Sequence, residues 1–346
     1  MTVSNFRTST RRTLRLFITI TAFVTSACAS VPAPQAAACA FSDRDQAWVE
    51  RALEAWRFTS REITGIAPMK DFQGIFFSAD CVMRSNNALS SLTGEGVTWS
   101  AAPHDGTIAL PDGSDMPAGV TSFVSGNNGV MYFVMSTPTV WEAAGVGKGT
   151  DLETTMVAVL LHEGSHVAQI GPYGPRLGAL IERHDLPDSF NDNAVQDRFE
   201  ENAAFAESVK EETRLFLAAA LAEDDAEAKQ LAREARGLMR ARQARWMTGD
   251  DAYLIEAEDI WLTFEGAGQW TGYQWRIHPR GGAKDDDQAI ERFTERFTKG
   301  RQWSQTEGFA LVMALYRIMG PGWKRHAFGD GEKTVLQMLD EALAAD

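Results

Sequence analysis

The rhythm of hydrophobic and polar positions changes several times along the chain, and each rhythm predicts a different element. Residues 16–24 are a mostly apolar run behind Arg7, Arg11, Arg12 and Arg15. Further on, Trp48, Val49, Ala52, Leu53 and Trp56 recur at helical spacing, and Ser42 and Asp45 are placed to cap that helix. Between residues 58 and 141 Gly and Pro become frequent, and short β-type runs predict strands over 72–79, 107–110, 120–124 and 130–136. Pro111-Asp112-Gly113 is a turn signal, and Ser125-Gly126-Asn127-Asn128-Gly129 joins the last two runs as a hairpin. Beyond residue 150 the period is helical. Met156, Val157, Val159, Leu160 and Leu161 predict a buried helix, with Thr150 and Glu153 in the form of a capping box. Gly171-Pro172-Tyr173-Gly174-Pro175 is expected to break it.

Downstream, Val195, Phe199, Phe205, Val209, Phe216 and Leu217 form a long apolar stripe that stops near Glu223-Asp224-Asp225. A further helix is expected over 226–247. Its Arg233, Arg236, Arg240, Arg242 and Arg245 predict a solvated basic face paired with nearby carboxylates. Residues 311–318 are core-like, Pro321-Gly322 marks a turn, and 335–343 predict a last amphipathic helix. No internal repeat is visible. The fold class expected is α+β, mostly α.

Composition narrows the functional classes. An apolar fraction of 44% with ten Trp is that of a chain with a buried core. The net charge of −14 argues against nucleic acid as a partner of the whole chain. The arginine-flanked apolar run has the form of a signal peptide and is too short for an ordinary membrane span. Two endings compete. Thr25-Ser26-Ala27-Cys28 resembles a bacterial lipobox, which would lipidate Cys28 and anchor it to a membrane, whereas Ala36-Ala37-Ala38 offers a small-residue cleavage site. The arrangement expected is a signal peptide over 1–28 and a tether over 29–40. A mixed α/β part over 41–150 and a helical metal-binding part over 151–346 would follow as one unit. Cys39 and Cys81 would pair in an oxidising compartment, so the location expected is the bacterial cell envelope, periplasmic or lipid-anchored.

The chemistry concentrates in Leu161-His162-Glu163-Gly164-Ser165-His166-Val167, which reads HExxH. On a helix, residues i and i+4 share a face, so His162 and His166 can reach one ion while Glu163 projects beside them. From Val157 to Val167 the only charged residue is Glu163. Unpaired polar groups in so apolar a frame are costly, and a metal would supply their partner. Buried histidines bonded to backbone or carboxylates are the plainer alternative.

This segment resembles the zincin metallopeptidases. The resemblance implies zinc held by His162 and His166, with Glu163 as general base toward a metal-activated water and a peptide or protein as substrate. It also implies a zincin-like order, a small sheet before the motif helix and a helical lobe after it. Residues 130–136 would be the edge strand that binds an extended substrate. Pro172 stands where a metzincin has its third histidine, so a gluzincin arrangement with a later glutamate is left.

Glu265, in Trp261-Leu262-Thr263-Phe264-Glu265-Gly266-Ala267, resembles the gluzincin ligand segment, and Gly266 and Ala267 would let its helix approach the motif helix. Glu307, Glu207 and Glu201 compete for the role. Glu258, two turns before Glu265, is a candidate acceptor for a ligand histidine. Tyr273 and His278 are candidate donors to an oxyanion. His104, beside Asp105 and Gly106, reads first as a surface turn. The function expected is an exported zinc-dependent peptidase. A non-catalytic envelope lipoprotein using the same scaffold for binding stays open. A carboxylate-bridged di-iron protein does not, because it needs a second Glu-x-x-His.

Overall fold

The computed structural model describes residues 39–66, 72–86, 97–127, 130–147, 151–187, 190–285, 287–291 and 302–345. The expected signal peptide, Cys28, Thr150 and the hairpin tip at Asn128-Gly129 lie outside them. Helices predominate, with one small mixed sheet and a separate hairpin.

Helix α1 (Asp43–Thr59) starts where Ser42 accepts a hydrogen bond from the backbone N–H of Asp45. The Asp45 carboxylate turns away and holds Thr139, through its N–H at 3.2 Å and its hydroxyl at 2.6 Å. The sheet strands are β1 (Phe72–Phe77), β2 (Cys81–Ser85), β3 (Trp99–Pro103), β6 (Ser122–Asn127) and β7 (Val130–Ser136), in the order β3-β2-β1-β7-β6. Strands β4 (Thr107–Ala109) and β5 (Asp115–Pro117) form the separate hairpin.

Alternation decides the two faces of the sheet. Phe76, Val124, Phe133 and Met135 join the main core with Trp48 and the motif helix, while Ile75, Phe77, Val82, Tyr132 and Val134 face Ile108 of the small hairpin. Strand β7 pairs antiparallel with β6 and parallel with β1, so it lies inside the sheet. The expectation that 130–136 is a substrate-binding edge is therefore wrong. Both rows of its main-chain groups have strand neighbours, and the edge on that side is β6. Strand β1, which closes the other row, comes from far upstream in the chain. His104 serves its turn. Its Nδ1 accepts from the N–H of Gly106, which leaves Nε2–H to donate to the carbonyl of Ser78 at 3.1 Å.

After α2 (Pro138–Ala143), helix α3 (Leu152–His184) carries the motif. Asp151 caps it by accepting from Thr154 N–H, and Glu153 instead pairs with Arg44 and Arg51. The Gly-Pro segment does not break the helix, which runs through Pro172 and Pro175 for 33 residues. An interior proline costs about 3 kcal/mol in an isolated helix. Here tertiary packing offsets it. The Tyr173 hydroxyl lies 3.0 Å from the carbonyl of His326 and 2.7 Å from that of Lys333, and Pro172 presses on Gly331.

The long stripe is split into α4 (Ala194–Phe199) and α5 (Ala203–Leu221), because Asn202 caps the second piece. Helices α6 (Asp225–Trp246), α7 (Leu254–Ile277), α8 (Trp303–Met319) and α9 (Val335–Ala344) complete the lobe. Among the described residues no helix is long and apolar enough to cross a membrane.

Two features brace this frame. Cys39 and Cys81 are joined by a disulfide spanning 42 residues. The basic face of α6 is not all solvated as expected, because Arg242 is fully buried. It donates to Glu212 at 2.8 Å and Glu258 at 2.8 Å, and Glu307 lies 3.7 Å away. Burial opposes its charge, but three carboxylates outweigh that and raise its pKa.

Two outcomes follow for stability. Arg242→Met leaves three buried carboxylates without their cation and should destabilise by about 3–5 kcal/mol in urea unfolding. Reducing the disulfide frees a long loop in the unfolded chain and should cost about 4 kcal/mol, read as a fall in Tm under reducing conditions.

Candidate metal centre

The centre lies where α3 crosses α7, and small residues set the distance between them. A Cβ on Gly268 would stand 2.8 Å from His162 Nδ1, and one on Gly272 would stand 3.0 Å from the carbonyl of Ala158. A side chain at either position would push the helices apart. Gly266 does a different job from the one expected. It faces Gly308, where its Cβ would meet the Gly308 carbonyl oxygen, so it brings α7 to α8 rather than to the motif helix. Across α3, Gly164 accommodates the indole of Trp56 from α1.

At this crossing His162, His166 and Glu265 converge, all buried. The two Nε2 atoms are 3.0 Å apart, and Glu265 places Oε2 3.2 Å from His162 Nε2 and Oε1 3.3 Å from His166 Nε2. Tetrahedral zinc with bonds near 2.0–2.1 Å needs donors about 3.3 Å apart, so the set fits such an ion.

A hydrogen-bond chain orients one ligand. Gln169 Nε2 donates to the Thr263 carbonyl at 3.0 Å, which leaves its Oε1 to accept from His166 Nδ1 at 2.9 Å. With its proton held on Nδ1, the neutral His166 ring presents the bare lone pair of Nε2 to the centre.

The electrostatics call for a cation. Burial disfavours charge on His166, but the Glu265 carboxylate, with help from Glu163, outweighs it and pushes the imidazole up to about 9. Burial would raise Glu265, yet the two imidazoles hold its carboxyl well below the usual range. A proton thus fills the role that a metal would take, and the two would compete. Glu163 is pushed up to about 8, chiefly by burial, with His166 opposing and Glu265 and Asp192 adding to the rise. Its Oε1 is buried and has no hydrogen-bond partner among the described residues.

The competing carboxylates are elsewhere. Glu307 is in the Arg242 cluster, and Glu207 is exposed beside Lys210. Glu201 is exposed as well. Glu258 accepts from Arg242 and Gln243, not from a ligand histidine. Its position two turns from Glu265 serves the ion-pair cluster instead. Tyr273 packs in the core with its ring 5.5 Å from Phe309 of α8, and the His278 ring packs tilted against Phe58 at 4.9 Å.

Sequence reasoning missed Gln169, Asp192, Gly268 and Gly272. Gln169 stands three residues after His166 on the same helix face, and Gly268 and Gly272 are four apart, so spacing could have found these three. Asp192 comes from a loop, and no periodicity marks it.

No protein-family model, no curated protein and no solved structure matches this chain.

Gln169→Ala should leave the fold intact and weaken zinc binding by about 10–100-fold. Chelator competition would measure the affinity, with circular dichroism as the check on folding.

Proposed function

We propose that the protein is a zinc-dependent peptidase of the bacterial cell envelope, with a zincin-like active centre. The observation that carries the reading is the convergence of His162, His166 and Glu265 on one point, with Glu163 next to the first ligand. Two imidazoles and one carboxylate are a catalytic rather than a structural zinc set, because one position is left for water or substrate. Bound zinc would supply Lewis acidity, polarising the scissile carbonyl and making water a nucleophile near neutral pH.

The chain's own residues have distinct tasks. Gln169 keeps the proton of His166 on Nδ1 and so keeps Nε2 as a donor. Glu163 accepts the proton of the attacking water on its carboxylate and delivers it to the leaving amine. Gly268 sets the depth of the His162 ring. Strand β6 is the sheet edge on the side of the motif helix, and it offers main-chain groups that an extended peptide could meet. The disulfide agrees with a location outside the cytoplasm.

Glu163→Gln removes the base and keeps the ligands. Peptide-library hydrolysis should fall by about 10³-fold or more while one zinc per chain stays bound, because general base and proton carrier are lost together. Hydrolysis retained in that variant would overturn the mechanism. A zinc-loaded wild type inert toward diverse peptides would leave a binding scaffold instead.

A further inference from the structure

We propose that His326, Asp330 and Glu332 form a second, peripheral zinc site. Their donor atoms lie within 4.8 Å of one another. The His326 ring is buried, and its Nδ1 is 2.7 Å from Asp330 Oδ1, while both carboxylates are at the surface. One inner nitrogen and two outer carboxylates suit zinc, with water in the remaining position.

The loop that carries these donors is held from several sides. His326–Asp330 is a single π-helical turn, and Gly331 follows it in the left-handed region at φ 60°. Only a residue without a Cβ fits there, because a Cβ on Gly331 would collide with the Pro172 ring of α3. The Gly331 N–H donates to the His326 carbonyl at 3.0 Å. The Tyr173 hydroxyl sits between the carbonyls of His326 and Lys333, and Arg176 donates to the Glu332 carbonyl at 2.9 Å. The backbone that carries the donors, and the His326–Asp330 pair, are thus held before any ion arrives, which lowers the ordering cost of binding.

One neighbour opposes loading. Arg325 Nε donates to His326 Nε2 at 3.3 Å, so the ring proton is on Nδ1 and points at Asp330. An ion on Nδ1 requires that proton to leave and Nε2 to take one from solvent, with no net change. The Arg325 contact is then lost. The site is therefore weaker than the His162 centre, and Arg325 tunes it.

The test is zinc stoichiometry and affinity by equilibrium dialysis with mass spectrometry, on wild type, His162→Ala, Arg325→Gln and the double variant Asp330→Asn with Glu332→Gln. Both carboxylates are at the surface, so the double variant should fold, and circular dichroism checks it. The expected result is two zinc ions per chain in wild type. One is lost in His162→Ala, and the weaker one is lost or weakened at least about tenfold in the double variant. Arg325→Gln should tighten the weaker site several-fold. Unchanged zinc binding in the folded double variant overturns the proposal. So does a single zinc in wild type that is lost in His162→Ala. A single zinc that survives His162→Ala but not the double variant supports the peripheral site and removes the His162 centre, so the two readings fail separately.

Discussion

The close crossing of α3 and α7 is the constraint on which the rest of the structure depends. A carboxylate is a short side chain, and it reaches two histidines on another helix only if the backbones nearly touch. Gly268 and Gly272 permit that on one side of α7, and Gly266 permits the matching approach to Gly308 of α8 on another. Helix α7 is thus pressed between two neighbours, and the position of Glu265 is set by both. A substitution that thickened either contact would move the carboxylate without touching a ligand.

Burial makes the polar groups interdependent. Helix α7 carries two buried glutamates into separate clusters, Glu265 to the histidines and Glu258 to Arg242 and Gln243. Each cluster needs its cation, because charges taken from water are costly unless paired. In the Arg242 cluster the cation is built in. At the histidines it is a proton or a metal. That difference separates a bracing cluster from a centre that can exchange its ion.

The C-terminal segment closes on the motif helix rather than extending the lobe away from it. Tyr173, seven residues after His166, holds the backbone of His326 and Lys333, and the Thr263 hydroxyl accepts from the N–H of Val335. The Thr263 carbonyl also orients Gln169, so the start of α9 and the His166 ring are fastened to the same residue. Prolines that would end an isolated helix are retained in α3 because these contacts reward its continuation.

What the sequence determined by itself is mostly local. The 3.6-residue period placed α6 and α9 within a residue or two and marked the buried face of α1, and short β-type runs found β1, β4 and β7. The i, i+4 spacing put His162 and His166 on one face, and the resemblance of the Trp-to-Gly segment to the gluzincin one pointed to Glu265, which the structure brings to them. Tertiary structure decided what depends on distant partners. Strand β7 became interior because the chain returned there to pair with the distant β1, and no signal near residues 130–136 records that. Helix α3 ran through two prolines because Tyr173 and Pro172 found the loop at Gly331. Arg242 left the solvated face because Glu212, Glu258 and Glu307 meet in one interior place. Propensity and spacing act over a few residues, whereas pairing, burial and charge compensation are settled only when remote segments are packed together.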